Sequence, residues 1–83
     1  MKREYYYPIE VRPLEDYRIL LTFNNKERRV FNVKPYLDDV FWAPLRNPAI
    51  FHAAKINPMT VEWPGEIEFA PDVLYEDSEP VTL

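Results

Sequence analysis

The 83-residue sequence predicts an α+β fold, and three observations carry that prediction. Apolar and polar residues alternate over 5–12 and again over 17–23, the period of half-buried strands. Proline-started clusters at Lys34-Pro35, Asn47-Pro48 and Pro71 mark short helical turns. Alternation then returns on both sides of Pro64-Gly65. Strands, short helices, then strands suit an α+β arrangement better than a doubly wound one. The expected architecture is a small antiparallel sheet, two hairpins plus an edge strand, with two or three short helices packed on one face. Residues 1–75 are expected to form a single compact domain, and residues 76–83 an acidic, flexible tail.

The first strand reads from Tyr5, Tyr7, Ile9 and Val11 on one face and Tyr6, Pro8, Glu10 and Arg12 on the other. Pro8 has no N–H to give a ladder, which places this strand at a sheet edge. Tyr17, Ile19, Leu21 and Phe23 line one face of a second strand. Asn24-Asn25-Lys26-Glu27 forms the hairpin loop, because asparagine tolerates the positive φ of tight turns. A third strand, Arg28 to Val33, carries Val30, Phe31 and Val33, with no register set by the pattern. After Pro35, the helical spacing of Leu37, Val40 and Phe41 puts them on one side of a turn. Asn47 caps a brief helix that Pro48 begins and that gathers Ile50, Phe51 and Ala54. In the last hairpin Val61 and Trp63 are answered by Ile67 and Phe69, with the turn at Pro64-Gly65. Pro71 starts one helical turn that folds Leu74 and Tyr75 back as core residues.

Composition limits the functions open to this chain. A domain this small hides only about 60–65% of its unfolded surface, so it needs a dense core. Five Phe, six Tyr and two Trp supply one, at roughly 150–250 Å² buried per ring. The absence of cysteine removes disulfides, thiolate metal sites and a cysteine nucleophile. No apolar run approaches the roughly 20 residues that span a bilayer, so no membrane association is expected. The N-terminus has no signal-peptide pattern, and a cytoplasmic location is the expectation. Net charge is −4, with residues 1–34 at +3 and residues 35–83 at −7. An acidic second half argues against a general nucleic-acid binder, whose affinity rests on Lys/Arg neutralising phosphates.

Candidate chemistry is sparse. His52 is the single histidine and Ser78 the single serine, so a general base lacks a neighbouring nucleophile or orienting acid. Its bland reading is an exposed helix histidine. Glu62, Glu66 and Glu68, followed by Asp72 and Glu76, could hold a hard cation, but they lack the spacing of a known metal loop and read as a solvated strand face. No cofactor, metal or catalytic residue is expected, and the chain reads as a non-enzyme. The stronger lead is interaction. On a strand Tyr6 faces away from Tyr5 and Tyr7, which sets a large ring outside the core on an edge that invites pairing; a ring covered by a short helix is the competing reading. Arg18, Arg28 and Arg29, with Arg12 and Lys26 near, form a basic patch suited to an acidic partner or to phosphates. Tyr6, Arg18, Arg28 and Arg29 are therefore the candidate partner-binding residues.

The residues also resemble a family. Asp16-Tyr17, Leu20, Thr22-Phe23, Arg29 to Leu37, Leu45, Phe51, and above all Trp63-Pro64 with Glu68 to Tyr75, resemble the small bacterial proteins of domain-of-unknown-function family 2442. The likeness runs from about Tyr7 to Tyr75, and the closing Trp-Pro to Leu-Tyr signature is its most specific part. The chain departs from the pattern at Lys26, near a usual glycine, at Asn32, a usual Asp, and at Gly65-Glu66-Ile67-Glu68, a usual Asn-Gly followed two residues later by Asp. The resemblance implies a compact α+β domain, sometimes fused to a helix-turn-helix, with no established activity. It also implies the neutralising or regulatory member of a two-gene pair resembling a toxin–antitoxin operon. The expected function is a non-catalytic protein-interaction module whose partner is another small protein, or a second copy through the edge strand. The alternative is a nucleic-acid-binding regulator using Arg18, Arg28 and Arg29.

Overall fold

Ile19, Leu21 and Phe23 alternate along a strand and are all fully buried, so this strand is the spine on which the computed structural model is assembled. The structure describes residues 5–81. In chain order the elements are β1 (Pro8–Pro13), β2 (Arg18–Phe23), β3 (Arg28–Asn32), α1 (Pro48–Phe51), β4 (Lys55–Asn57), β5 (Thr60–Trp63), β6 (Ile67–Glu68), α2 (Pro71–Glu76) and β7 (Glu79–Pro80). Short 3-10 turns cover Glu15–Tyr17, Lys34–Tyr36 and Ala43–Arg46.

The α+β class holds, but there are two antiparallel sheets where one was expected. The first has the order β1-β2-β3-β7 and the second β4-β5-β6. The chain leaves the first sheet through the 3-10 segment and α1, then builds the closing hairpin as a separate sheet whose β4 and β5 lie against β1. Strand β4, missed in the sequence because it is only 3 residues long and ends at Asn57-Pro58, completes it. One core lies between the sheets: Phe31 from β3, Trp63 from β5 and Phe69 after β6 meet at ring-centroid distances of 5.0 and 5.8 Å. Trp63 is fully buried, and its indole N–H donates to the Phe51 carbonyl at 2.9 Å. Among the described residues no buried side-chain polar atom lacks a hydrogen-bond partner.

Local chemistry explains most element ends. Pro8 does sit on an edge strand, but it is buried opposite Phe23, while Ile9 is exposed. A bulge between Pro8 and Glu10 inserts one residue and flips the face, which period-2 counting cannot anticipate. Asn24 ties the preceding tyrosines to this sheet: its side-chain oxygen accepts from the Tyr7 N–H at 2.9 Å, and its amide donates to the Tyr5 carbonyl at 3.0 Å. In the β2–β3 loop the positive φ falls on Lys26 at 73°, not on either asparagine. The bonds Lys26 N–H to Phe23 O and Phe23 N–H to Glu27 O define a three-residue loop closed by a left-handed residue. Asn47 caps α1 as its position promised, accepting from the Ala49 N–H at 3.0 Å.

Two expectations are corrected. Val40 and Phe41 do not join Leu37 in the core: they are 91% and 49% exposed, because they lie in turns between the 3-10 segments Lys34–Tyr36 and Ala43–Arg46 rather than on an α-helix. The stretch read as a loose tail is tied down through Val81, since Glu79–Pro80 pairs with β3 and Ser78 is buried. No helix among the described residues is long and apolar enough to cross a membrane.

Trp63→Ala should lower the unfolding free energy by about 3–5 kcal/mol in urea titration, through the cavity and the lost Phe51 bond. Lys26→Gly should raise it by about 0.5–1 kcal/mol, since glycine adopts a φ near +73° without the Cβ penalty.

Candidate functional site

Successive strand residues point to opposite faces, so Arg28 and Arg29 cannot share one surface. The register shows where each goes. Arg29 lies opposite Leu21, a core residue, whereas Arg28 lies opposite Thr22 and Arg18 opposite Asn32. Arg18 and Arg28 are therefore on the outer face of the four-stranded sheet, at opposite ends of the hairpin, about 13 Å apart at the usual strand rise.

Arg29 is a structural anchor rather than part of an open patch, with only 13% of its side chain exposed. Its Nε donates to the Ser78 hydroxyl at 2.6 Å, and its two terminal nitrogens donate to the Ser78 carbonyl and the Glu27 carboxylate. Its guanidinium carbon also lies 4.5 Å from the centroid of the Tyr75 ring. Tyr6 stacks on Tyr75 at 4.6 Å and 22°. Tyr75 therefore contacts both Tyr6 and Arg29, with Phe23 meeting it in a T-shaped contact at 5.0 Å. Tyr6 is thus half-buried against the core and does not project from a strand, because β1 begins only at Pro8.

The electrostatics of this node follow from its bonds. The Tyr75 hydroxyl donates to Glu27 at 2.6 Å. That bond is the largest cause holding the Glu27 carboxyl below its usual range, aided by Arg29 and Asn25. The same bond is the largest cause pushing the Tyr75 hydroxyl upward. Burial, then Asp77, pushes Tyr36 in the same direction.

The outer sheet face has a composition the sequence reading did not assemble. Cross-strand pairing brings Glu10, Thr22 and Arg28 into one row, and Arg12, Leu20, Val30 and Glu79 into the next. Leu20 and Val30 are half-exposed, while Arg12, Arg18 and Arg28 are exposed and make no ion pair among the described residues. Alternation along β2 was the available signal: placing Ile19, Leu21 and Phe23 inside puts Leu20 outside.

Two concavities open elsewhere. One, of about 350 Å³, is lined by Tyr5, Tyr6, Tyr7, Met59, Pro71, Asp72, Tyr75 and Glu76. The other, of about 380 Å³, lies between the Leu14–Tyr17 turn and α1 and includes His52. Asp16 and Tyr17 there both have positive φ, held by the Lys34 ion pair at 2.9 Å and by Tyr17 hydroxyl donation to the Arg46 carbonyl at 2.6 Å. His52 is exposed, and its Nδ1 is 2.9 Å from the Pro48 carbonyl. A carbonyl only accepts, so Nδ1 carries the proton. Glu62 and Glu68 face each other across β5 and β6, with Lys55 opposite Glu62 on the other side. No group of three or more candidate metal ligands occurs among the described residues.

A carboxyl held low in the folded state contributes stability above its ordinary value, and loses it as pH falls through the folded one. Glu27, usually near 4.5, should therefore steepen acid destabilisation below that pH. Glu27→Gln should flatten this limb when urea midpoints are followed from pH 6 downward; an unchanged slope would count against the pairing.

Comparison with known proteins is brief. No curated protein and no solved structure matches the chain. A family model described as "Protein of unknown function (DUF2442)" matches residues 8–80, nearly the whole sequence, and the chain belongs to that family.

Proposed function

We propose that this chain is a non-catalytic protein-interaction module that binds another protein through the outer face of its four-stranded sheet. The observation that carries the reading is the open face itself. Leu20 and Val30 are half-exposed at its centre, and Arg12, Arg18 and Arg28 stand around them without internal ion pairs among the described residues. An apolar centre with arginine at its margin is the composition of a protein contact surface, and its charge selects an acidic partner. Of the four residues singled out in the sequence, Arg18 and Arg28 belong to this surface, while Arg29 and Tyr6 support it from within. The family resemblance supports a regulatory or neutralising role beside a second small protein, in the cytoplasm.

A nucleic-acid partner is the second reading, favoured by the same arginines. Glu10 and Glu79 on the same face oppose it, since phosphate recognition needs a basic surface with few competing acids. Affinity capture of the tagged chain from its own cell lysate, with and without nuclease, separates the readings. A stoichiometric protein that survives nuclease and is lost in Arg18→Glu/Arg28→Glu is the expected outcome. Nuclease-sensitive binding would favour the second reading, and capture unaffected by the double reversal would sink the assignment of this face.

A further inference from the structure

Among the described residues the most exposed large apolar side chain is Val40, at 91%, and Phe41 beside it is also exposed. Both lie between the 3-10 turns Lys34–Tyr36 and Ala43–Arg46. Hydrogen bonds hold this loop in one shape. The Asp39 N–H donates to the Tyr36 carbonyl at 3.0 Å, and the Asp39 carbonyl accepts from the N–H groups of Trp42 and Ala43. Its carboxylate accepts from the Phe41 N–H at 2.8 Å. The Phe41 ring meets Trp42 in a T-shaped contact at 5.1 Å, and Trp42 stacks on the buried Phe69 at 4.9 Å. Val40 and Phe41 thus form an apolar knob fastened to the core and presented to solvent. A knob already ordered loses little entropy when it is covered. Its flank is acidic: Asp38 and Asp39 are both exposed, and Asp38 keeps 94% of its side chain in solvent while pairing with Arg46 at 2.9 Å.

The outer face of the four-stranded sheet is the complement of this knob. Leu20 and Val30 lie opposite each other at its centre, half-exposed, with Arg18 and Arg28 towards its two ends and Arg12 in the row of Leu20. An apolar knob beside two acids matches an apolar centre among arginines. The same division runs through the whole chain, +3 over residues 1–34 and −7 over residues 35–83. We infer that the Asp38–Phe41 knob of one copy docks on the outer sheet face of a second copy. This inference rests on the reading of that face as a protein contact surface, and it names an acidic occupant, the chain itself. Val40 and Phe41 cover Leu20 and Val30, while Asp38 and Asp39 meet the arginines. Knob and face are different surfaces, so the contact is heterologous, and each docked pair keeps a free knob and a free face unless a ring closes. A contact this small stays below the roughly 1,200 Å² of standard complexes. Glu10 and Glu79 on the face and the net charge of −4 weaken it further. The affinity is therefore on the order of 100 µM, weak enough for a better-fitting acidic protein to displace the second copy.

The test is sedimentation equilibrium of the full chain from about 10 µM to about 1 mM, with two variants at exposed positions. Val40→Lys spoils the knob, and Arg18→Glu/Arg28→Glu reverses the face. The average mass of the unaltered chain should rise with concentration, and added salt should lower it again. Each variant alone should associate at least tenfold more weakly. Mixed in equal amounts, the two should form a 1:1 complex and nothing larger, since one intact face and one intact knob remain. That complex would also show that both variants are folded. An unaltered chain that stays monomeric at the top of the range would overturn the inference. So would association that survives either variant, or a mixture of the two that remains monomeric. Affinity capture from lysate with Val40→Lys, which keeps the face, separates this inference from the foreign-partner reading. A monomeric chain whose capture is lost only in Arg18→Glu/Arg28→Glu would overturn self-docking and leave the face to the foreign protein. Complementation of the two variants with no foreign protein captured would uphold self-docking and leave the face to a second copy.

Discussion

Tyr75 is the residue through which separate parts of this chain constrain one another. Its ring stacks with Tyr6 and lies against the Arg29 guanidinium, Phe23 meets it in a T-shaped contact, and its hydroxyl reaches Glu27. Those contacts join α2, the N-terminal tyrosines and the β2–β3 hairpin at one point. Arg29 extends the node to β7 through its bonds to Ser78. Packing, charge and hydrogen bonding coincide in a half-buried place, where each is stronger than in water yet every polar atom can be satisfied. Both the cleft and the outer sheet face inherit their shape from this arrangement. Tyr6 on Tyr75 builds one wall of the cleft, and Arg29 turned inward leaves Arg28 to face solvent.

The core meets the problem of a small domain without cross-links. With few residues to bury, the chain uses large rings: Phe31, Tyr36, Trp42, Trp63 and Phe69 form a continuous set of stacked and edge-on contacts. These rings fill the space between the two sheets. The arrangement covers only the inner face of the larger sheet. Its outer face is left with Leu20 and Val30 among arginines, a direct result of an architecture with too few helices to cover both sides.

One glycine serves the whole chain, so turns that usually take glycine are made by other residues. Asp16, Tyr17, Lys26 and Glu66 all have positive φ, beside Gly65 at 90°. Such conformations cost roughly 1–3 kcal/mol each and persist only where neighbours over-determine them. At Asp16 and Tyr17 the neighbours are visible: the Lys34 ion pair, the Arg46 carbonyl, and the backbone bond from Val33 N–H to Tyr17 O at 2.9 Å. Among the described residues nothing comparable holds the Lys26 side chain, which is exposed at the hairpin tip.

The sequence by itself determined whatever depends on neighbours along the chain. Alternation placed Ile19, Leu21, Phe23, Val61, Trp63, Ile67 and Phe69 inside, Asn47-Pro48 set a helix start, Pro8 marked an edge, and the Trp-Pro to Leu-Tyr ending signalled the family. These are short-range rules of dihedral preference and periodicity, and they needed no partner strand. Tertiary structure decided what depends on residues far apart. A bulge, not the alternation, buried Pro8 and exposed Ile9. Ser78, 49 residues from Arg29, drew a charge out of the apparent patch and into the fold. Tyr75 claimed Tyr6, and the closing hairpin formed a second sheet. The candidate site was therefore half legible: Arg18 and Arg28 could be read from strand period, whereas the cleft between Tyr5–Tyr7 and α2 exists only because distant segments pack together.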